Sequence, residues 1–135
     1  MNKYLVIGNP IDHSLSPKIH NYWIKKNNIK AIYDKERLKS DDLKNLIIKI
    51  REKKISGVNV TVPFKKEIIP YIDKLTFGAE ATQSVNTILL TDDSKIVGYN
   101  TDIGGFENAI KYTKYDISGK KIFILGSGGV TPSII

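Results

Sequence analysis

Lys65 closes the segment Asn59-Val-Thr-Val-Pro-Phe-Lys65, in which alternate polar side chains leave one face of a strand end before a proline opens a helix. An ammonium in the first helical turn opposes the partial positive charge of a helix N-terminus, and Lys66 adds like-charge repulsion. Both effects predict a lysine that gives up its proton more readily than usual. Such an amine is a candidate proton acceptor when a substrate hydroxyl lies within reach and a carboxylate orients the ammonium form. Asp102 is the candidate for that carboxylate. Taken alone, the segment reads more readily as a solvated surface lysine with Glu67 nearby.

Three further groups of residues could bind a substrate or a cofactor. Ser14 and Ser16 straddle the expected start of a helix, where hydroxyl donors and unpaired backbone N–H groups favour an anion such as a carboxylate. Capping by Ser16 alone would account for the same pattern. Asn59 and Thr61 share one face of their strand, and Asn86 opens the next buried strand with a second amide that both donates and accepts. Such groups suit a polyhydroxylated ring, although turn and capping roles are common fates for Asn and Thr. The third group, Gly126, Ser127, Gly128, Gly129 and Val130, follows an apolar run in the context in which a glycine turn cradles pyrophosphate. Thr131 stands at the third small position of that pattern. A nucleotide-binding βαβ unit needs about 30 residues. The chain stops four residues after Thr131, so most of a dinucleotide domain is expected to lie outside it.

Composition narrows the classes. With 135 residues, 41% hydrophobic and 26% charged, the chain matches one ordinary globular domain. No apolar run approaches the roughly 20 residues needed to cross a bilayer, and Tyr4–Ile7 is too short for a signal peptide, so a cytoplasmic protein without a membrane partner is expected. Cysteine is absent, which removes disulfides, thiolate catalysis and Cys-based zinc sites. His13 and His20 lack neighbours at ligand spacing, so no metal site is expected. A net charge of +7 and a pI near 9.5 raise the question of nucleic acid. Lys44, Lys49, Arg51, Lys53 and Lys54 instead gather towards the end of one expected helix, where cations suit the dipole, and no base-stacking aromatic pattern accompanies them. Nothing in the sequence bears on how copies of the chain associate.

The elements that must position these residues follow from periodicity. Tyr4–Ile7 reads as a buried strand, and Ser16-Pro17 as the cap and first residue of a helix reaching about Asn27. Ala31–Tyr33 is a second strand. Leu43, Leu46, Ile47 and Ile50 form the apolar stripe of a helix begun by Ser40, Asp41 and Asp42. Val58, Val60 and Val62 alternate with Asn59 and Thr61 as a strand, Pro63 opens a short helix, and Pro70 ends or kinks it. A helix over Phe77–Thr82 precedes two strands, Val85–Thr91 and Lys95–Tyr99, joined by the turn Asp92-Asp93-Ser94. A helix over about Gly104–Tyr112 and a last strand, Lys120–Leu125, complete the order. The expected fold is α/β, three-layered, with helices on both faces of a mixed, mostly parallel sheet. Residues 1–112 would form a substrate-binding catalytic domain, and residues 113–135 the incomplete start of a Rossmann-like nucleotide domain.

Four separated motifs, in order, carry a resemblance. Gly8-Asn-Pro-Ile-Asp-His-Ser14-Leu-Ser16-Pro17, Asn59-Val-Thr61-Val-Pro-Phe-Lys65, Ser84-Val-Asn86-Thr and Gly98-Tyr-Asn-Thr-Asp102 together resemble shikimate dehydrogenase. The resemblance runs from Tyr4 to Ile135 and covers the first part of a complete family member. It implies reversible, metal-free reduction of 3-dehydroshikimate to shikimate by NADPH, a step of aromatic amino-acid and chorismate biosynthesis. Carried over by motif, Ser14 and Ser16 would hold the substrate carboxylate, Thr61, Asn86 and Asp102 the ring hydroxyls, and Lys65 the proton, with Asp102 positioning it. The resemblance also selects Lys65 over Lys66. Three departures stand out: Gln83-Ser84 replaces smaller residues before Asn86, Phe77 stands where many members are acidic, and the glycine turn lacks the usual alanines. A chain truncated in this way is expected to bind substrate without normal turnover. A quinate or dual quinate/shikimate dehydrogenase and a non-catalytic sensor module are the alternatives.

Overall fold

The computed structural model describes all 135 residues. Six strands, β1 (Asn2–Gly8), β2 (Ala31–Arg37), β3 (Gly57–Val60), β4 (Lys74–Leu75), β5 (Thr87–Leu90) and β6 (Ile96–Tyr99), form one sheet in the order β2-β1-β3-β5-β6-β4. β1 pairs in parallel with β2 and β3, and β4 with β6, while β5 runs antiparallel to both β3 and β6. The sheet is therefore mixed, with β5 the one reversed strand. Five helices, α1 (Ser16–Lys26), α2 (Leu43–Arg51), α3 (Phe64–Glu67), α4 (Phe77–Thr82) and α5 (Asp102–Thr113), fill the connections.

Side-chain alternation along β1 builds the layers. Leu5 and Ile7 point to one face, where they pack with Leu43, Leu46, Ile47 and Ile50 of α2 and with Val58 and Val60 of β3. The stripe read from the sequence is the buried face of α2. Val6 points the other way, into a smaller cluster with Ile11 and Tyr33 that Ile24 of α1 covers. Helices thus lie on both faces. The larger cluster also takes in Phe64 and Ile68 around α3, Ala79 of α4, and Val85, Ile88 and Ile96. Asp73 ties α2 to this sheet: it accepts hydrogen bonds from Arg51 Nη2 at 2.7 Å and from Ile96 N at 2.7 Å.

Several boundaries differ from expectation. β2 continues to Arg37 because β1 pairs with it along its whole length, and tertiary pairing outweighs the charged residues of its second half. β3 ends at Val60, since the Thr61 carbonyl accepts Phe64 N at 3.0 Å and turns the chain into α3. The bonds Asn9–Pro10 and Val62–Pro63 are cis, and these two loops join through Asn9 N to Val62 O at 3.0 Å. Ser16 is not a cap: it is the first helical residue of α1, and Ser14 Oγ accepts its backbone N–H at 3.3 Å. α5 begins at Asp102, two residues before the expected start. β4 went unforeseen because two residues carry no periodicity. Lys120–Leu125 forms no strand. A strand is held by its ladder, no other segment pairs with this one, and Phe123 and Leu125 stand 88% and 100% exposed.

Gly8 allows the loop after β1 to touch the loop after β3. A Cβ there would sit 2.7 Å from Thr61 Cγ2 and 3.0 Å from the Val62 carbonyl. Gly8→Ala is expected to lower stability by about 1–3 kcal/mol, read by urea unfolding, and to displace the Thr61 amide resonance. Asp73→Ala is expected to cost about 1 kcal/mol at pH 7. The Arg51 guanidinium, followed by the Ile96 N–H, holds the Asp73 carboxyl below its ordinary pKa of 3.8. Its stabilisation is therefore complete above that value and is lost as pH falls through the lower folded one. The gap between wild type and Asp73→Ala should close on acidification below that value, and a gap that widens would contradict the assignment.

Candidate functional site

Strand direction explains how motifs scattered over ninety-odd positions meet. In β1, β3 and β6 the chain runs the same way, so the residues just after Gly8, Val60 and Tyr99 all emerge at one edge of the sheet. These are the segments bearing Ser14 and Ser16, Thr61 and Lys65, and Asp102. β5 is reversed, so the residue that reaches that same edge comes before the strand rather than after it. That residue is Asn86. Ligands of open α/β sheets bind at the carboxyl ends of parallel strands, and here the one antiparallel strand contributes from its beginning.

Lys65 Nζ donates to Asp102 Oδ2 at 2.6 Å, with the two side chains 13% and 28% exposed. The pair was expected, but the helix-terminus field expected to act on the lysine was not found. α3 is a single turn, so its carbonyl end lies as close to Lys65 as its N–H end, and the helix-terminus field invoked above has no length over which to build. The lysine is instead held by its partner carboxylate and by its own backbone, whose carbonyl accepts Val85 N at 2.9 Å. Asp102 is held in turn: its N–H donates to Asn100 Oδ1 at 3.0 Å, and Asn100 Nδ2 donates to Thr82 Oγ1 and Ser133 Oγ, each at 2.8 Å. Its second carboxylate oxygen makes no hydrogen bond within the chain.

Asn86 is nearly buried, and its Oδ1 accepts from Thr101 N at 3.0 Å and Thr87 Oγ1 at 3.0 Å. Its Nδ2 donates to Thr101 Oγ1 at 2.9 Å, which leaves one N–H for a ligand. Asn59 is more fully committed. It accepts from the Tyr33 hydroxyl at 2.6 Å and donates to Thr87 Oγ1 at 3.0 Å and the Asn86 carbonyl at 3.3 Å, so only acceptor capacity remains. No buried side-chain polar atom lacks a partner. Burial pushes the Tyr33 hydroxyl up to about 12, against a smaller opposing pull from the neighbouring Ser16 hydroxyl.

The glycine turn folds back onto the lysine. Ser84 Oγ donates to the Gly129 carbonyl at 2.7 Å, and a Cβ on Gly129 would touch the Lys65 side chain at 3.6 Å. A cavity of about 820 Å³ opens there, walled by Thr61 and Lys65 on one side and by Ser127, Gly128, Gly129 and Val130 on the other. Gly126 holds φ +125°, a conformation L side chains rarely adopt, and a Cβ on Gly128 would meet nothing within 4 Å, so the turn presents open backbone. Ser14, Ser16, Asn59, Asn86 and Asp102 are not part of that wall. No group of three or more His, Asp or Glu side chains converges as metal ligands, and no helix is long and apolar enough to cross a membrane.

Tyr33, Ser84, Thr87, Asn100 and Thr101 escaped the sequence reading. Four of them lie inside or beside the motifs already quoted, so adjacency to Asn86 and Asp102 was a usable signal. Tyr33 offered none, because a strand tyrosine reads as core.

Residues 6–88 match the family model for the shikimate dehydrogenase substrate-binding domain. The NADP(+) shikimate dehydrogenase of Pelagibacter ubique is 56% identical over 132 residues, which is 98% of this chain and 49% of that protein. Among solved structures, shikimate dehydrogenase 1 of Peptoclostridium difficile is 37% identical with a TM-score of 0.91, covering 98% of this chain and 50% of that one. The Listeria monocytogenes shikimate 5-dehydrogenase, solved in complex with shikimate and NAD, is 36% identical with a TM-score of 0.90, covering 99% and 46%. The chain spans about half the length of the curated relatives it matches. With a matching family model over more than half its length and its fold shared closely with solved members, the chain belongs to the shikimate dehydrogenase family, through that family's substrate-binding domain.

Proposed function

We propose that this chain carries the substrate site and proton-transfer pair of an NADP-dependent shikimate dehydrogenase, in which 3-dehydroshikimate and shikimate interconvert. The observation that supports it most is the Lys65–Asp102 pair at 2.6 Å, beside a cavity shared with an open glycine turn. In this reading residues 1–112 are the substrate-binding catalytic domain, and residues 113–135 open a dinucleotide-binding one.

Ser14 and Ser16 hold the ring carboxylate through their hydroxyls. The free N–H of Asn86, Thr61 and the unpaired Asp102 oxygen take ring hydroxyls, and Asn59 offers an acceptor. In the reducing direction Lys65 gives its proton to the oxygen of the carbonyl being reduced; in the oxidising direction it takes the hydroxyl proton back. Asp102 keeps the amine aimed at that oxygen throughout. Gly126, Ser127, Gly128, Gly129 and Val130 would hold a pyrophosphate: the backbone at Gly126 and Gly128 is open, and the last four border the cavity that Lys65 walls. NADPH, when bound, supplies the hydride. The residue that would read its ribose is not among these five. Intact Lys65 and Asp102 favour an enzyme over a sensor that binds without turnover.

Titrating shikimate into the chain should perturb the amide resonances of Ser14, Lys65, Asn86 and Asp102, and silence at all four would refute the substrate site. In a chain extended to the relatives' length, Lys65→Met should lower kcat by about 10²–10⁴ with little change in KM for shikimate. A change confined to KM would make Lys65 a binding residue only.

A further inference from the structure

Tyr33 lies between the two halves of the proposed substrate site, and nothing in the motif comparison gives it a role. Its residue is 5% exposed. Its backbone is clamped at both polar atoms by one side chain of α1: Tyr33 N donates to Asn21 Oδ1 at 3.0 Å, and Asn21 Nδ2 donates to the Tyr33 carbonyl at 2.7 Å. Its ring stacks on His20 with centroids 4.1 Å apart and planes 7° from parallel. Both clamps stand on the helix whose first residue is Ser16. The phenol is therefore fixed relative to the serine pair by α1 itself.

From the phenol the hydrogen bonds run in one direction. Tyr33 Oη donates to Asn59 Oδ1 at 2.6 Å, Asn59 Nδ2 donates to Thr87 Oγ1 at 3.0 Å, and Thr87 Oγ1 donates to Asn86 Oδ1 at 3.0 Å. The Ser16 hydroxyl neighbours the same phenol. Thr87 accepts at one end and donates at the other, so the phenol and both amides are linked in orientation, and α1 ties the phenol to Ser16 through Asn21 and His20. A phenol that stays neutral at ordinary pH remains a donor to Asn59, in keeping with its burial.

We propose that Tyr33 is a positioning residue that fixes Ser16 relative to Asn59 and Asn86, so that the carboxylate grip and the hydroxyl grip act on one ligand as a set. The proposal rests on the reading of Ser16 and Asn86 as substrate contacts, and Tyr33 itself touches no substrate in it. The consequence is a definite spacing between acid and hydroxyl. A flexible serine loop would accept acids of several lengths, whereas one locked through a tyrosine to a strand-borne amide accepts a ring of one size.

The test uses the 135-residue chain and shikimate as the probe. In ligand-free amide spectra, Ser16→Ala should shift the Asn59 and Asn86 side-chain amide signals, and Tyr33→Phe should shift Ser16 as well as Asn86. Ser16→Ala alters a partly exposed helix start, so it remains informative if Tyr33→Phe fails to fold. Unmoved Asn59 and Asn86 signals in Ser16→Ala would overturn the proposal, whatever the ligand does. With ligand, Tyr33→Phe should weaken shikimate binding about tenfold, and the double variant Ser16→Ala/Tyr33→Phe should bind no more weakly than Ser16→Ala alone. Additive losses would overturn the linkage. A wild-type chain that ignores shikimate would sink the substrate reading instead, and the ligand-free shifts would still decide the role of Tyr33.

Discussion

β5 runs against β3 on one side and β6 on the other, and the two ladders that hold it there are the constraint on which the site depends. Asn59 faces Thr87 across the first ladder, and Thr87 faces Tyr99 across the second. This register sets Asn59, the Asn86–Thr87 pair and the Asn100-Thr101-Asp102 turn side by side at one edge. A slip of one residue in β5 would turn Thr87 to the opposite face and break its hydrogen bond with Asn59. The site is thus a property of strand pairing before it is a property of any side chain.

The polar residues at that edge fall into two kinds. Asn59, Thr87, Asn100 and Thr101 direct most of their hydrogen-bonding capacity at other groups of the chain, among them Tyr33, Asn86, Thr82 and Ser133, which allows polar groups to lie inside a well-packed α/β layer without an unsatisfied atom. Lys65, Asp102 and Asn86 keep capacity in reserve: further ammonium protons, a carboxylate oxygen and an amide N–H. Chemistry needs the second kind, and their geometry needs the first. The Lys65–Asp102 bond illustrates the division, since Asn100 orients Asp102 from behind while being held itself by Thr82 and Ser133.

The glycine turn shows how one segment can be locally well placed without belonging to a regular element. Ser84 and Asn100 hold it against the sheet edge at Gly129 and Ser133, and Ser133 is 6% exposed. The run before it, through Phe123 and Leu125, lies open. Two hydrogen bonds from polar groups therefore place the turn beside Lys65, while the apolar residues that would anchor a strand have nothing in this chain to pair with.

The local rules were legible in the chain. Leu43, Leu46, Ile47 and Ile50 announced a buried helix face, the valines around Asn59 announced a strand, and four spaced motifs named a family and most of the side chains that gather at the sheet edge. These features are written in periodicity and residue type, which act between near neighbours. Other features depended on partners distant in sequence. β2 extends through a charged stretch because β1 pairs with it, Lys120–Leu125 stays irregular because nothing does, and Ser16 enters α1 as its first residue, its N–H taken by Ser14. The lysine argument divides along the same line: the structure pairs Lys65 with Asp102 as expected, but α3 is one turn long and leaves no helix field to act on it. Hydrogen-bond partners and strand register are settled by the free energy of the whole assembly, and no window of sequence contains both sides of those contacts.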